Sequence, residues 1–422
     1  MFRRVIFSIF FIFLIGCGAD ENKEQISEIK ADEKSELIDK NAPIELELWS
    51  YYSGGWEYAI DQFEQSHPGV TVKVQFFTFE EYQKEYLKAL ATKETPDLMV
   101  FDSNHFGHFM ALDGLEDLAK EPYTLEHYRE HFSESLWNMG QSFDGKKMIG
   151  VPIGPSPLVT FYRADIMEEY GFPSDPEELG DYMEDPNNWI KMATELREDD
   201  KWMIQDAMEP IQIYKSTRGV FNQELELVRT GEDFKKAIDL ARVIRENDLV
   251  APINVWEKNG VEVLKNDQFV MFYRGNWGSG EISGWVPEQS GKWRATRLPF
   301  NQFGWSNAPI ISIPNASKQK ELAWEFVESY SFGESYGVFN RSTDLRKNEF
   351  LGGQQDMVLF EEIMKKVEVP NLTPIDEKAD AIWNSTLWNN WDTKLSTEQI
   401  MDEITKSINE QLSKEKEYLL RD

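Results

Sequence analysis

From Ile44 the chain alternates apolar and polar positions in steps of two, and the run Ile44–Trp49 (IELELW) predicts a β-strand. Tyr51-Tyr52-Ser53-Gly54-Gly55 breaks it. Trp56, Ile60 and Phe63 then recur at helical spacing, and His67-Pro68-Gly69 ends that helix. Val70–Phe76 (VTVKVQF) predicts a second strand. Phe79, Tyr82, Tyr86 and Leu90 mark a second helix, and Asp97–Phe101 (DLMVF) a third strand. Strand–helix–strand–helix–strand is the pattern of a parallel sheet with crossover helices. Ligands of such sheets bind beyond the carboxyl ends of the strands, which points to Ser50–Gly55 and Asp102–Phe106 as a binding edge.

Further on, Gly150–Ile153 and Phe161-Tyr162 read as an extended crossing, and Ile166–Arg245 as mostly helical. Asp267–Phe272 predicts a short strand running into Arg274-Gly275-Asn276-Trp277. Ile310–Ile313 predicts another, followed by a helix marked by Ala323, Phe326, Val327 and Tyr330. The chain closes on a long helix. Ser396-Thr397-Glu398-Gln399 fits a capping box, and Ile400, Ile404, Ile408 and Leu412 form its apolar stripe. There are no repeats and no glycine-rich phosphate loop.

The N-terminus has a different pattern. Arg3 and Arg4 precede the almost wholly apolar Val5–Gly16, a run too short to span a bilayer comfortably but suited to a secretory leader. It ends in Leu14-Ile15-Gly16-Cys17. This resembles a bacterial lipoprotein box, although Ile15 is bulkier than the pattern prefers. An ordinary leader with an incidental cysteine is the plain alternative; the sole cysteine falling at the cleavage point favours lipidation of Cys17. Gly18–Pro43 has no aromatic residue and is dominated by Glu, Asp and Lys, which predicts a flexible tether. The expected location is the extracytoplasmic face of the cell membrane, held by lipid.

Composition narrows the function. The 422 residues carry 44 basic and 75 acidic side chains, a net charge of −31. Such acidity disfavours nucleic acid and electrostatic docking on anionic lipid. A single cysteine excludes an internal disulfide and a cysteine-based zinc site.

The motifs LWSYYSG, HPGVTVKV, TPDLMVFDSNHF, GVPIGPSPLVTFYRADIM, FVMFYRGNW and SNAPIISIPNASKQKELAWEFVESY, in that order, resemble the extracellular solute-binding proteins of ABC importers. This is the family that includes maltose-binding protein, and the resemblance spans roughly Ile44 to Leu420. It implies an α/β fold of the periplasmic-binding-protein type: two lobes joined by a multi-segment hinge, with a ligand cleft between them. The expected division is 1–17 leader, 18–43 tether, 44–151 plus 276–333 first lobe, and 152–275 plus 334–422 second lobe. Crossings are expected near Val151–Pro155, Tyr273–Asn276 and Gly333–Phe339. It also implies capture of a carbohydrate, foremost an oligosaccharide, and its delivery to membrane permease subunits by a monomeric protein without cofactor.

An aromatic face matches the C–H face of a sugar ring, while carboxylates and amides bond its hydroxyls. Trp56, Phe63, Tyr86, Trp324 and Phe326 fall at helical spacing and read as core. Tyr51, Tyr52, Trp277, Trp305, Trp383 and Trp388 sit beside turn-forming or polar residues and read as available to a ligand. Carried over by position, Trp277 and Trp383 match stacking aromatics of the family. Asp102 and Asn104 follow the third strand where the family offers polar acceptors. Glu209-Pro210 resembles a sugar-holding site, with Ile211 where its aromatic would stand. Ser156 occupies a position at which maltose-binding protein has an acid. Arg341 and Arg346 read as solvated charges before they read as ligand contacts.

Rival chemistry is thin. All five histidines lie between His67 and His131; His105-x-x-His108 and His127–His131 are the candidate metal groupings, read first as hydrogen-bonding or surface histidines, and no HExxH occurs. A tethered glycoside hydrolase needs two carboxylates across one bond, and with 75 acids no pair stands out. No G-x-S-x-G elbow is present. A receptor subunit presenting its ligand to a membrane sensor would use the same fold.

Overall fold

The computed structural model describes residues 43–255, 257, 259–334, 337–340 and 345–421. The leader, Cys17 and nearly all of the expected tether lie outside the described residues. Among the described residues, nine strands form two sheets. The first has the order β2-β1-β3-β9-β4, built from β1 (Ile44–Ser50), β2 (Val70–Phe76), β3 (Leu98–Asp102), β4 (Val151–Pro152) and β9 (Pro309–Ser312). β1 pairs with β2 and β3 in parallel, and β9 joins β3 antiparallel. The helices Glu57–Ser66 and Tyr82–Thr92 make the crossovers, as the hydrophobic period predicts. β3 is apolar through Phe101 because it is buried along its whole length, whereas the edge strand β2 alternates and keeps Lys73 exposed.

The second sheet is antiparallel around β5 (Ser156–Arg163), with β6 (Met271–Gly275), β7 (Trp293–Thr296) and β8 (Gly304–Asn307) as its partners. Side chains of β5 alternate between two cores. Val159 and Phe161 pack with Phe272, Trp293 and Phe360 on one face. Tyr162 faces the other core, which also holds Met192, Ile238 and the Ile400/Ile404/Ile408 stripe. The stripe belongs to the helix Thr397–Gln411, whose Ser396/Gln399 capping box is formed.

The chain leaves the first sheet after Pro152 and enters the second at Ser156. It does not return at 276, where a crossing and lobe boundary were expected. β6 is followed by β7 and β8, both bonded to β5, so residues 276–307 build the second lobe and the return runs from Asn307 to Pro309. The helix Lys320–Phe332 then packs its Ala323, Phe326 and Val327 into the first core. Phe350 and Phe360 already belong to the second.

Candidate ligand cleft

Two strand ends of the first sheet set up one wall. At the end of β1, Ser50 turns the chain by accepting from the Tyr52 N–H at 3.2 Å. The turn places Tyr51 among rings: Tyr52 at 5.0 Å, Tyr82 at 5.3 Å and Phe79 at 5.8 Å between centroids. Tyr52 itself stacks on buried Trp56 at 5.3 Å. At the end of β3, Asp102 caps the helix Ser103–Met110 by accepting from the Asn104 N–H at 2.9 Å. Its other oxygen accepts from Asn307 Nδ2 at 2.7 Å. Burial raises the Asp102 carboxyl above its ordinary value, partly offset by these hydrogen bonds, and burial also raises the nearby Tyr51 hydroxyl. Asn104 donates from Nδ2 to the Ser306 carbonyl at 2.8 Å, and His105 Nδ1 shares a 2.8 Å hydrogen bond with the Tyr82 hydroxyl.

Ser306 and Asn307 lie at the end of β8, so this wall meets the second lobe there. Ser156 accepts from the Asn276 N–H at 3.0 Å and donates to Asn276 Oδ1 at 2.9 Å. Between them lies Gly275. A Cβ on Gly275 would stand 2.2 Å from Trp277 Nε1, 2.7 Å from Ser306 Oγ and 2.8 Å from Ser156 Oγ. Only glycine lets these three side chains converge. Trp277 starts the helix Gly278–Trp285 and is 44% exposed, its ring 5.7 Å from the Arg274 guanidinium carbon. Arg274 Nε lies 3.7 Å from Glu281 Oε2. Glu209 accepts the Gln205 N–H at Oε1, while Oε2 is shielded from solvent without a hydrogen-bond partner. Burial pushes its carboxyl up to about 8, against the pull of Arg274.

A succession of contacts therefore links Tyr52, Tyr51, Asp102 and Asn104 through Asn307 and Ser306 to Ser156 and Trp277, and Arg274 beside Trp277 interacts electrostatically with Glu209. Two expected contacts do not join them. Trp383 is 1% exposed inside the second core, with Lys215 Nζ 4.1 Å from its ring centre and Phe234 against it. Trp305 is 4% exposed and packs with the first core. Trp388 is exposed on the helix Asp376–Asn390. Arg346 is exposed, and Arg341 lies outside the described residues. Sequence reasoning missed Asn307, Ser306 and Arg274. Each lies within a motif already quoted, but only the pairing of β6 and β8 with β5 brings them to the site.

Residues 58–336 match the family model described as bacterial extracellular solute-binding protein. The chain belongs to that family. It is a family of binding proteins, named for the extracellular side of the membrane. Among the described residues of this solute-binding protein, no helix is long and apolar enough to cross a bilayer. Solved structures share its fold at low identity. The galacto-N-biose/lacto-N-biose I-binding protein of an ABC transporter from Bifidobacterium longum, in complex with lacto-N-biose, is 15% identical with a TM-score of 0.71, covering 89% of this chain and 98% of that one. An ABC substrate-binding protein from Listeria monocytogenes, in complex with cycloalternan, is 17% identical with a TM-score of 0.67, covering 88% and 98%. The sugar-binding protein MalE from Xanthomonas citri is 17% identical with a TM-score of 0.67, covering 90% and 100%. These likenesses establish the periplasmic-binding-protein type of fold for the solute-binding protein.

Proposed function

We propose that this solute-binding protein captures a carbohydrate, foremost an oligosaccharide, in the cleft between its lobes and delivers it to ABC permease subunits. The observation that carries the reading is Trp277. Its ring is half-exposed beside Arg274, at the end of a row of carboxyl, amide and hydroxyl groups running to Asp102. A flat apolar surface next to paired acceptors is what a sugar ring requires. Neighbours of the same fold are described with lacto-N-biose and cycloalternan, which supports the same ligand class here. The protein works as a monomer, without cofactor and without turnover of its ligand. A melting screen over mono- and oligosaccharides tests the class, because a ligand that binds only the folded state raises its stability. Stabilisation by amino acids or peptides, with none by any sugar, overturns it.

The anchor in this reading is a lipid on Cys17, with 18–43 as the tether. Cys17→Ser then leaves the chain unlipidated, released or held as precursor, with unchanged ligand affinity. Fractionation and titration of the variant check this; a correctly cleaved variant retained fully on membranes would count against it.

A further inference from the structure

A hollow of about 700 Å³ lies apart from the cleft and shares none of the residues described there. One wall comes from the C-terminal end of the helix Ser103–Met110 and the turn around Ser142, the other from Gln223, Asn371 and the chain's last turns at Tyr418 and Leu420. The helix begins at Asp102 of the cleft, so its eight residues set the two places about 12 Å apart. The volume falls within the range of small-molecule sites, about 300–1,000 Å³.

The chemistry of the walls is specific. Asn138, Gln141, Gln223 and Asn371 line the hollow, and among the described residues none of these four side chains makes a hydrogen bond within the protein. Each amide offers a donor and an acceptor, the same pair that a hydroxyl offers in return. Leu112, Tyr418 and Leu420 are exposed large apolar side chains gathered at this one place, Tyr418 at 69%. The charges present are matched locally. Lys147 pairs with Asp113 at 3.1 Å, and Asp144 is held by Lys146 at 3.0 Å and by the Ser142 hydroxyl at 2.7 Å. An ion would find no uncompensated partner. A molecule with hydroxyls on its edge and C–H groups on its face finds both kinds of contact.

We infer that this hollow is a second binding site, for a neutral sugar of mono- to disaccharide size, with Tyr418 as its aromatic platform and the four amides as its hydroxyl partners. The full-length protein is titrated calorimetrically with maltose, lactose and cellobiose, alongside Trp277→Ala, Tyr418→Ala and Gln223→Ala. Tyr418 and Gln223 are both exposed, so their truncation leaves the cores intact. The expected result is a binding event that Tyr418→Ala weakens about tenfold or more, Gln223→Ala weakens less, and Trp277→Ala leaves in place. Binding that only Trp277→Ala weakens overturns the second site while keeping the cleft. An event weakened by Tyr418→Ala with none weakened by Trp277→Ala keeps the second site and counts against the cleft. No binding of any of the three sugars overturns the second site.

Discussion

Two tryptophans with similar neighbours have opposite fates, and one pair of variants separates them. Trp277 is half-exposed and Trp383 is sealed in a core. Trp277→Ala removes a flat contact from the cleft and little packing. Ligand affinity should fall by roughly tenfold to several hundredfold, about 1–4 kcal/mol, with unliganded melting near that of the parent. Trp383→Ala should instead cost about 3–5 kcal/mol of stability, with normal binding by the folded fraction. Calorimetric titration and melting of both proteins check the pair, and an exchange of the two phenotypes would reverse the assignment. The signal for Trp383 was present in the sequence: Ala379, Trp383 and Leu387 are spaced by four and all face the core. The polar Asn384 and Ser385 beside it masked that stripe. Glu209 adds a pH dependence of known sign. Its folded-state carboxyl is raised from an ordinary 4.5 to about 8, so folding takes up a proton between those values. Its contribution is full below 4.5 and is lost as pH rises towards 8. Glu209→Gln mimics the protonated group. The variant's melting temperature should therefore fall less than the parent's across that window, and equal slopes would show that Glu209 is solvated in solution.

Strands with local alternation were legible, because burial of one face writes itself into the sequence. β1 and β2 read directly, and β3 read as a continuous apolar run. β7 and β8 did not. Each has four residues, and β8 (GWSN) is poor in strand-forming types, so its extended form comes from pairing with β5. Missing them moved the expected return between lobes from Asn307 to residue 276, and with it hid the link between Asp102 and Gly275. The end of β6 now carries a prediction of its own. Gly275→Ala places a methyl against Trp277 Nε1 and two serine hydroxyls, all side-chain atoms at the cleft rather than backbone in a core. Ligand affinity should drop severalfold and melting should fall modestly, since the exposed ring can swing aside but the buried Ser156 hydroxyl must shift as well. Unaltered affinity would mean that the ring's position over Gly275 does not matter to the ligand.

At the scale of the whole molecule, the two-lobe class was legible and the seam between the lobes was not, because seam contacts join residues hundreds of positions apart. Gly107 of the helix Ser103–Met110 faces the backbone of Thr373, and one residue on, His108 pairs with Glu377 across the same seam. The segment it faces is fixed. Asp376 accepts from the Thr373 N–H at 2.8 Å and from its hydroxyl at 2.6 Å, and burial raises that carboxyl to about 6. The following helix sinks Ala379 and Trp383 into the second core, so the segment cannot shift alone. That side-chain contact is at the surface and worth little, at most about 1 kcal/mol. The close backbone approach is the stronger constraint. A Cβ at Gly107 would lie 2.3 Å from the Thr373 carbonyl oxygen, which is backbone and has no rotamer to escape by. Gly107→Ala should therefore cost about 1–3 kcal/mol and set the lobes farther apart, seen as earlier melting and a larger radius of gyration in small-angle scattering without ligand. His108→Ala, which removes only the contact with Glu377, should change both far less. If Gly107→Ala melts and scatters like the parent, the seam yields freely, and the relation between the lobes is held by the chain crossings at 153–155, at 307–309 and between Phe339 and Phe350.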